Sequence, residues 1–279
     1  MSATARPAGE LVLVATPIGN LGDLSPRAIE AFERSDLVGC EDTRRTGGLL
    51  HKLGIKRPMI VVNEHTEFDH ESRIVAAVAS GQTVVLVSDA GTPAVSDPGA
   101  RLVQAVVAAG LAVSAVPGPS AVLAALVVSG LPTERFTFEG FLPRKGAQRV
   151  RRLAELVGEA RTMVFYEAPH RLHKTLTDLA DAMGASRPVA VARELTKLHE
   201  DVWRGELGDA VEAFPQDRVR GEFVLVVGGQ PPPPGEVDDD ELTAAVAAER
   251  EAGSSTRDAV ALVAQRYGVA RNRVYRLAT

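Results

Sequence analysis

Residues 83–99 read Thr-Val-Val-Leu-Val-Ser-Asp-Ala-Gly-Thr-Pro-Ala-Val-Ser-Asp-Pro-Gly. Five apolar or β-branched residues end in a turn of small residues, glycine and proline. A short apolar run bounded by turn residues predicts a strand buried on both faces, as in a parallel sheet. Glycine lets the turn adopt positive φ and approach a ligand, and proline stiffens it. The pattern recurs on either side. Residues 10–15 run into Thr16-Pro17-Ile18-Gly19-Asn20-Leu21-Gly22-Asp23, and residues 111–116 run into Pro117-Gly118-Pro119-Ser120-Ala121. Ligands of open α/β sheets bind at the carboxyl ends of strands. Three such turns on one edge predict the wall of a small-molecule site.

Outward from these turns, short apolar runs alternate with amphipathic stretches. Strands are expected at 11–15, 37–40, 59–62, 83–87 and 112–116, and helices at 25–34, 43–53, 69–80, 99–109 and 120–128. This alternation predicts a parallel sheet covered by helices over residues 1–130. After Gly130-Leu131-Pro132, residues 131–229 hold alternating runs at 136–141, 162–167, 189–194, 202–207 and 222–227, with helices at 147–158 and 169–183. They predict a second α/β domain with a mixed sheet, and Trp203, Gly205 and Glu206 suggest a hairpin near its end. Residues 230–240, with four consecutive prolines and three consecutive aspartates, read as a linker. Residues 241–279 then form a small helical extension, with Ser255 as an N-cap and Gly268 as a C-cap. The extension is either a nucleic-acid-binding appendage or a packed helical tail.

The chain carries a net charge of −5 and a single cysteine, Cys40. The charge argues against a generally basic nucleic-acid binder but leaves room for a local basic surface. With one cysteine there is no internal disulfide, and a reducing, cytoplasmic setting is expected. No apolar run reaches the ~20 residues of a membrane helix.

Several clusters can carry chemistry. The 16–23 turn lacks the spacing of a dinucleotide loop, and Pro17 removes a donor, so it suits an uncharged or cationic ligand better than a phosphate. Asp89, just past a buried strand, either caps its turn or accepts from a ligand. Ser120 can cap the next helix while presenting its N-terminus. Loops 40–46 and 63–65 bring Glu41, Asp42, Arg44, Glu64 and His65 to the same edge, where they suit orienting a substrate or moving a proton. The spacing of His65 and His70 with neighbouring acids matches no metal signature, and no metal is expected. Residues 140–152 hold Arg144, Lys145, Arg149, Arg151 and Arg152 without an acid after Gly140. They read as phosphate contacts or as a solvated basic helix. The tail adds Arg257, Arg266, Arg271, Arg273 and Arg276 against Asp258 alone.

Taken in order, TPIGNLGDLSPRA, CEDTRRT, NEH, SDAGTPAVSDPG, PGPSA, GFLPRK, YEAPHR, RELTKLHE and GEFVLVV resemble the ribosomal RNA small-subunit methyltransferase I family, within the tetrapyrrole-methylase-like superfamily. The resemblance spans about residues 11–228, and the C-terminal segment is similar to that family's helical extension. It implies a two-domain tetrapyrrole-methylase-like fold and an S-adenosylmethionine-dependent homodimer. The implied reaction is methylation of the ribose 2′-oxygen of a cytidine in 16S rRNA of the small ribosomal subunit. Carried over by motif, Pro17, Ile18, Gly19, Asp89, Gly91, Thr92, Ser120 and Ala121 stand at the first-domain cofactor positions, and Tyr166, Glu167 and Ala192 at those of the second domain. Glu64 or His65 is the expected base. Arg44, Arg144 and Lys145 are expected to hold phosphates at the reacting centre, and Arg149, Arg271 and Arg273 to contact RNA. Two alternatives stay open: a methyltransferase for a tetrapyrrole or other small molecule, and a non-catalytic RNA-binding ribosome-assembly protein.

Overall fold

A computed structural model describes residues 9–63, 66–216, 220–231 and 237–278. The first domain is a parallel sheet in the order β3-β2-β4-β1-β5. Its strands are β1 (Glu10–Val14), β2 (Leu37–Cys40), β3 (Met59–Val61), β4 (Thr83–Val87) and β5 (Ala112–Val116). Each strand is followed by a helix: α1 (Pro26–Arg34), α2 (Thr43–Lys52), α3 (Glu67–Ala79), α4 (Ala100–Ala108) and α5 (Ala121–Val128). Side chains alternate between sheet faces, so both faces need cover. Val12, Val14, Val38, Val85 and Val87 pack with Ala28, Phe32 and Leu50 of α1 and α2. Leu11, Leu37, Val84 and Leu86 pack with Ile74, Val78, Leu102 and Val106 of α3 and α4.

The chain leaves β1 toward β2 and leaves β4 across β1 toward β5, so the crevice between β1 and β4 is the topological switch point. Thr16 and Gly91 bridge it with reciprocal backbone hydrogen bonds of 2.9 and 3.0 Å.

The second sheet runs β6-β7-β10-β8-β9. It comprises β6 (Phe136–Phe141), β7 (Thr162–Glu167), β8 (Pro188–Arg193), β9 (Asp201–Glu206) and β10 (Phe223–Val227), with α6 (Gly146–Leu156), α7 (Pro169–Met183) and α8 (Leu207–Ala213). Only β6 and β7 pair in parallel, so the sheet is mixed. Its period-2 pattern splits the core. Met163, Phe165, Phe223 and Leu225 face Leu172, Leu176 and Leu179 of α7. Val164, Ala190, Val224 and Val226 face Val122, Ala125 and Leu126 of α5. α5 therefore belongs to the first domain by sequence and packs on the sheet of the second.

The expected hairpin is β8–β9, but its turn is 194–200, and Gly205 lies within β9 under the Trp203 ring. The short α8 was not expected. Gln230 donates to Glu159 O at 2.6 Å, and Val237 is buried in the helical unit. That unit consists of α9 (Asp239–Glu251), α10 (Thr256–Tyr267) and α11 (Arg271–Leu277), and Asp238 caps α9. Its core of Leu242, Val246, Val260, Val263 and Val274 is separate from the other two. Ser255 caps α10 and Gly268 ends it in the left-handed conformation, as expected.

Candidate active site

A cavity of about 360 Å³ lies between the domains at the switch point. The first domain lines it with Ile18, residues 90–92, residues 95–97, Ser120 and Ala121. The second contributes Phe141, residues 166–169, Ala192, Leu195 and residues 222–224. The volume is that of a small-molecule site, and the lining has the usual apolar wall with a few placed polar groups.

Loop contacts shape the cavity. A Cβ on Gly19 would come within 2.4 Å of Lys197 Cγ and 2.9 Å of Thr196 Oγ1, so only glycine lets the β1 loop meet the β8–β9 turn. Gly91 holds φ +80, and Ala94 and Ser96 hold φ +65 and +60 without being glycines. Such backbone costs about 1–3 kcal/mol per residue and is kept where the surroundings enforce it. The strained turn leads directly to Asp97 at the cavity. Burial pushes the Asp97 carboxyl up to about 6, aided by the charges of Glu41 and Asp89 and opposed by a hydrogen bond from Ser88. Burial, with the Asp97 charge, likewise raises the Tyr166 hydroxyl to about 12. Phe138 and Phe141 hold the Tyr166 ring, with centroids at 5.0 and 5.6 Å. Glu167 is fixed from behind by Thr175 Oγ1 at 2.5 Å and Arg171 Nε at 3.2 Å.

The structure brings Ile18, Gly91, Thr92, Ser120, Ala121, Tyr166, Glu167 and Ala192 around this one cavity. Pro17, Gly19 and Asp89 line an adjoining cleft with Arg44, Arg45 and Lys52, on the other side of the Thr16–Gly91 bridge. Asp89 is engaged there, accepting from Asp42 N at 3.1 Å and lying 3.3 Å from Arg45 Nε. Arg44 and Lys145 do not line the main cavity. Arg44 is paired with Asp42 at 2.7 Å, and Lys145 is exposed at the head of α6. Glu64 and His65 lie outside the described residues.

Two of the expected RNA contacts are engaged within the protein. Arg149 is buried, donating to Asp178 at 2.6 Å, Pro143 O at 2.9 Å and Thr175 Oγ1 at 2.9 Å. It was read as a surface cation because Asp178 is 29 residues away in sequence. Arg273 is turned inward to Asp239 at 2.7 Å and to Val237 O, tying α11 to the start of α9. Arg144 and Arg271 are exposed. Asp97 lies in the same loop as Ser88 and Asp89, while the Glu41 charge and the Tyr166 ring near it come from other loops.

Residues 10–211 match the family described as Tetrapyrrole (Corrin/Porphyrin) Methylases, the class that two α/β domains closing on a cleft define. Among solved structures of the same fold are cobalt precorrin-4 methyltransferase, with a TM-score of 0.58 at 18% identity over 79% of this chain and 95% of that one. Another is uroporphyrin-III C-methyltransferase of Thermus thermophilus complexed with S-adenyl homocysteine, with a TM-score of 0.55 at 20% identity over 78% and 96%. Curated relatives are much nearer in sequence. The protein named ribosomal RNA small subunit methyltransferase I of Synechocystis is 50% identical over 79% of each chain. Its namesake in Pseudomonas aeruginosa is 43% identical over 97% of each. The chain therefore belongs to the ribosomal RNA small subunit methyltransferase I family, a branch of the tetrapyrrole methylases.

Proposed function

We propose that the protein transfers a methyl group from S-adenosylmethionine to the ribose 2′-oxygen of a cytidine in 16S rRNA of the small ribosomal subunit. The observation that carries this reading is likeness to proteins of that name across 97% of both chains, together with a cavity at the switch point.

The cavity fits the cofactor. Its wall of small and apolar residues suits an adenosyl group, the missing Cβ of Gly91 leaves room beside Ile18, and Asp97 offers a carboxylate to a cation. Ile18, Gly91, Thr92, Ser120, Ala121, Tyr166, Glu167 and Ala192 would hold it. S-Adenosylmethionine supplies an electrophilic methyl on a sulfonium sulfur. The protein's part is to hold the attacking oxygen in line with that carbon, and such alignment supplies much of the rate. It also accepts a proton. Asp97 is suited to this, since a carboxyl titrating near 6 is largely ionised at neutral pH and more basic than an ordinary aspartate.

A homodimer fits the surface. α5 is apolar on all sides, and Leu123 and Val127 remain 52% and 70% exposed after it has packed on the second sheet. Exposed apolar side chains on one short helix favour an interface with a second copy. Among the described residues no helix is long and apolar enough to cross a membrane.

The test is transfer of labelled methyl from S-adenosylmethionine to small subunits from cells lacking the gene, beside a tetrapyrrole acceptor. Label on the RNA alone is the expected result. Label on the tetrapyrrole alone would replace this reading with the small-molecule one.

A further inference from the structure

Beside the cofactor cavity a second pocket, of about 270 Å³, opens in the second domain. Arg144, Arg149, His170, Arg171 and Lys174 line it. The two domain-facing loops run from one site into the other. Phe141 lines the cavity and Arg144 the pocket, and Pro169 lines the cavity and His170 the pocket.

The pocket has a fixed floor and an exposed rim. Arg149 is locked by Asp178, Thr175 and Pro143 O, and Arg171 by Glu167 and by Leu142 O at 2.5 Å. Arg144, His170 and Lys174 are exposed, with Lys174 Nζ 3.1 Å from Asp178. Asp178 is buried enough to raise its pKa, yet its bonds to Arg149 and Lys174 outweigh burial and leave it below the ordinary value. Among the described lining residues and their partners, four permanent cations face the two carboxylates of Asp178 and Glu167. The pocket therefore keeps a positive excess. The N-terminus of the 15-residue α7, which has no side-chain cap, adds its dipole on the same side.

We propose that this pocket receives a backbone phosphate of the RNA, next to the nucleotide whose ribose enters the cofactor cavity. The inference rests on the rRNA reading above. A guanidinium and an ammonium on an open rim match a phosphodiester, and phosphate contacts are what set a nucleic acid's register on its protein. Continuity of the two sites along both loops makes the pocket an anchor that binds the strand carrying the reacting ribose. Arg149, expected from the sequence to touch RNA, contributes from behind by holding the floor.

The test compares wild type with Arg144→Gln/His170→Gln/Lys174→Gln and with Arg34→Gln/Lys56→Gln, exposed positions at the strand-entry edge of the first sheet. Methyl transfer to undermodified small subunits gives KM and kcat, calorimetry gives cofactor affinity, and salt titration gives the dependence of subunit binding. The expected triple variant has KM raised about tenfold, kcat at saturating subunits retained, cofactor affinity unchanged and the salt slope reduced by about one. Arg144→Gln alone, on a loop, is expected to show part of the same change. Unchanged KM and slope in both variants, with normal methylation by wild type, would overturn the inference and leave the rRNA reading standing. So would a fall in kcat at unchanged KM and slope. A wild-type protein that transfers no methyl to the subunit removes the rRNA reading and this inference with it.

Discussion

Asp97 is an acid that its surroundings would rather keep neutral. Its folded pKa of about 6 lies above the ordinary 3.8, so the fold favours the protonated form. The associated stability is present at acid pH and is lost as pH rises from about 4 through 6. Asp97→Asn, which cannot ionise, is therefore expected to raise Tm relative to wild type. The gain grows between pH 4 and 6 and levels off above about 7, as thermal melts across that range will show. If Asp97 accepts the proton, the same variant loses turnover even at saturating cofactor. Arg149 is the opposite case, a buried charge that is fully paired. Removing one partner of a buried pair costs about 3–5 kcal/mol, so Arg149→Ala should lower stability by that order in urea melts. Neither role is legible in the sequence. Both depend on burial and on partners from elsewhere in the chain: Glu41 for Asp97, Asp178 and Thr175 for Arg149. The turn residues are legible for the converse reason. Gly91 at φ +80 and the Ser120 cap on Leu123 N are local, and their chemistry is written within a few positions.

Elements follow the same division. Strands at 37–40, 83–87, 112–116, 136–141 and 162–167 stand where the apolar runs place them; 37–40, 83–87 and 162–167 are buried along their length, while 112–116 and 136–141 are the exposed edges of the two sheets. The seven-residue α8 was missed, since two turns carry too little periodicity to read. Val237 was absorbed into the linker because prolines and aspartates surround it, and only the helices that follow explain its burial. α5 is the element with most to test. Its inner side joins the domains, and Val127 on its outer side is free for a second copy. If a homodimer forms across this face, as proposed, Val127→Asp should convert it to a monomer in sedimentation, with cofactor affinity retained.

At the scale of the whole molecule, each sheet is packed on both faces and the helical unit has a core of its own. The two sheets enclose the cavity, with α5 of the first domain packed on the second sheet, while the helical unit also has its own cap residues. Deleting residues 231–279 is therefore expected to leave cofactor affinity unchanged by calorimetry. It should weaken subunit binding, because the exposed Arg257, Arg271 and Arg276 leave with the unit. Equal subunit binding would make those helices a structural tail.

On the proposed function, the cavity at the switch point is where one ribose of 16S rRNA is methylated. The most direct measurement maps ribose methylation in 16S rRNA from a strain lacking the gene, complemented with wild type or with Gly91→Val, whose side chain strains the turn and meets Ile18. The account predicts one cytidine 2′-O-methyl that is restored by wild type and not by the variant. An rRNA methylation pattern identical in the deletion and complemented strains would contradict it.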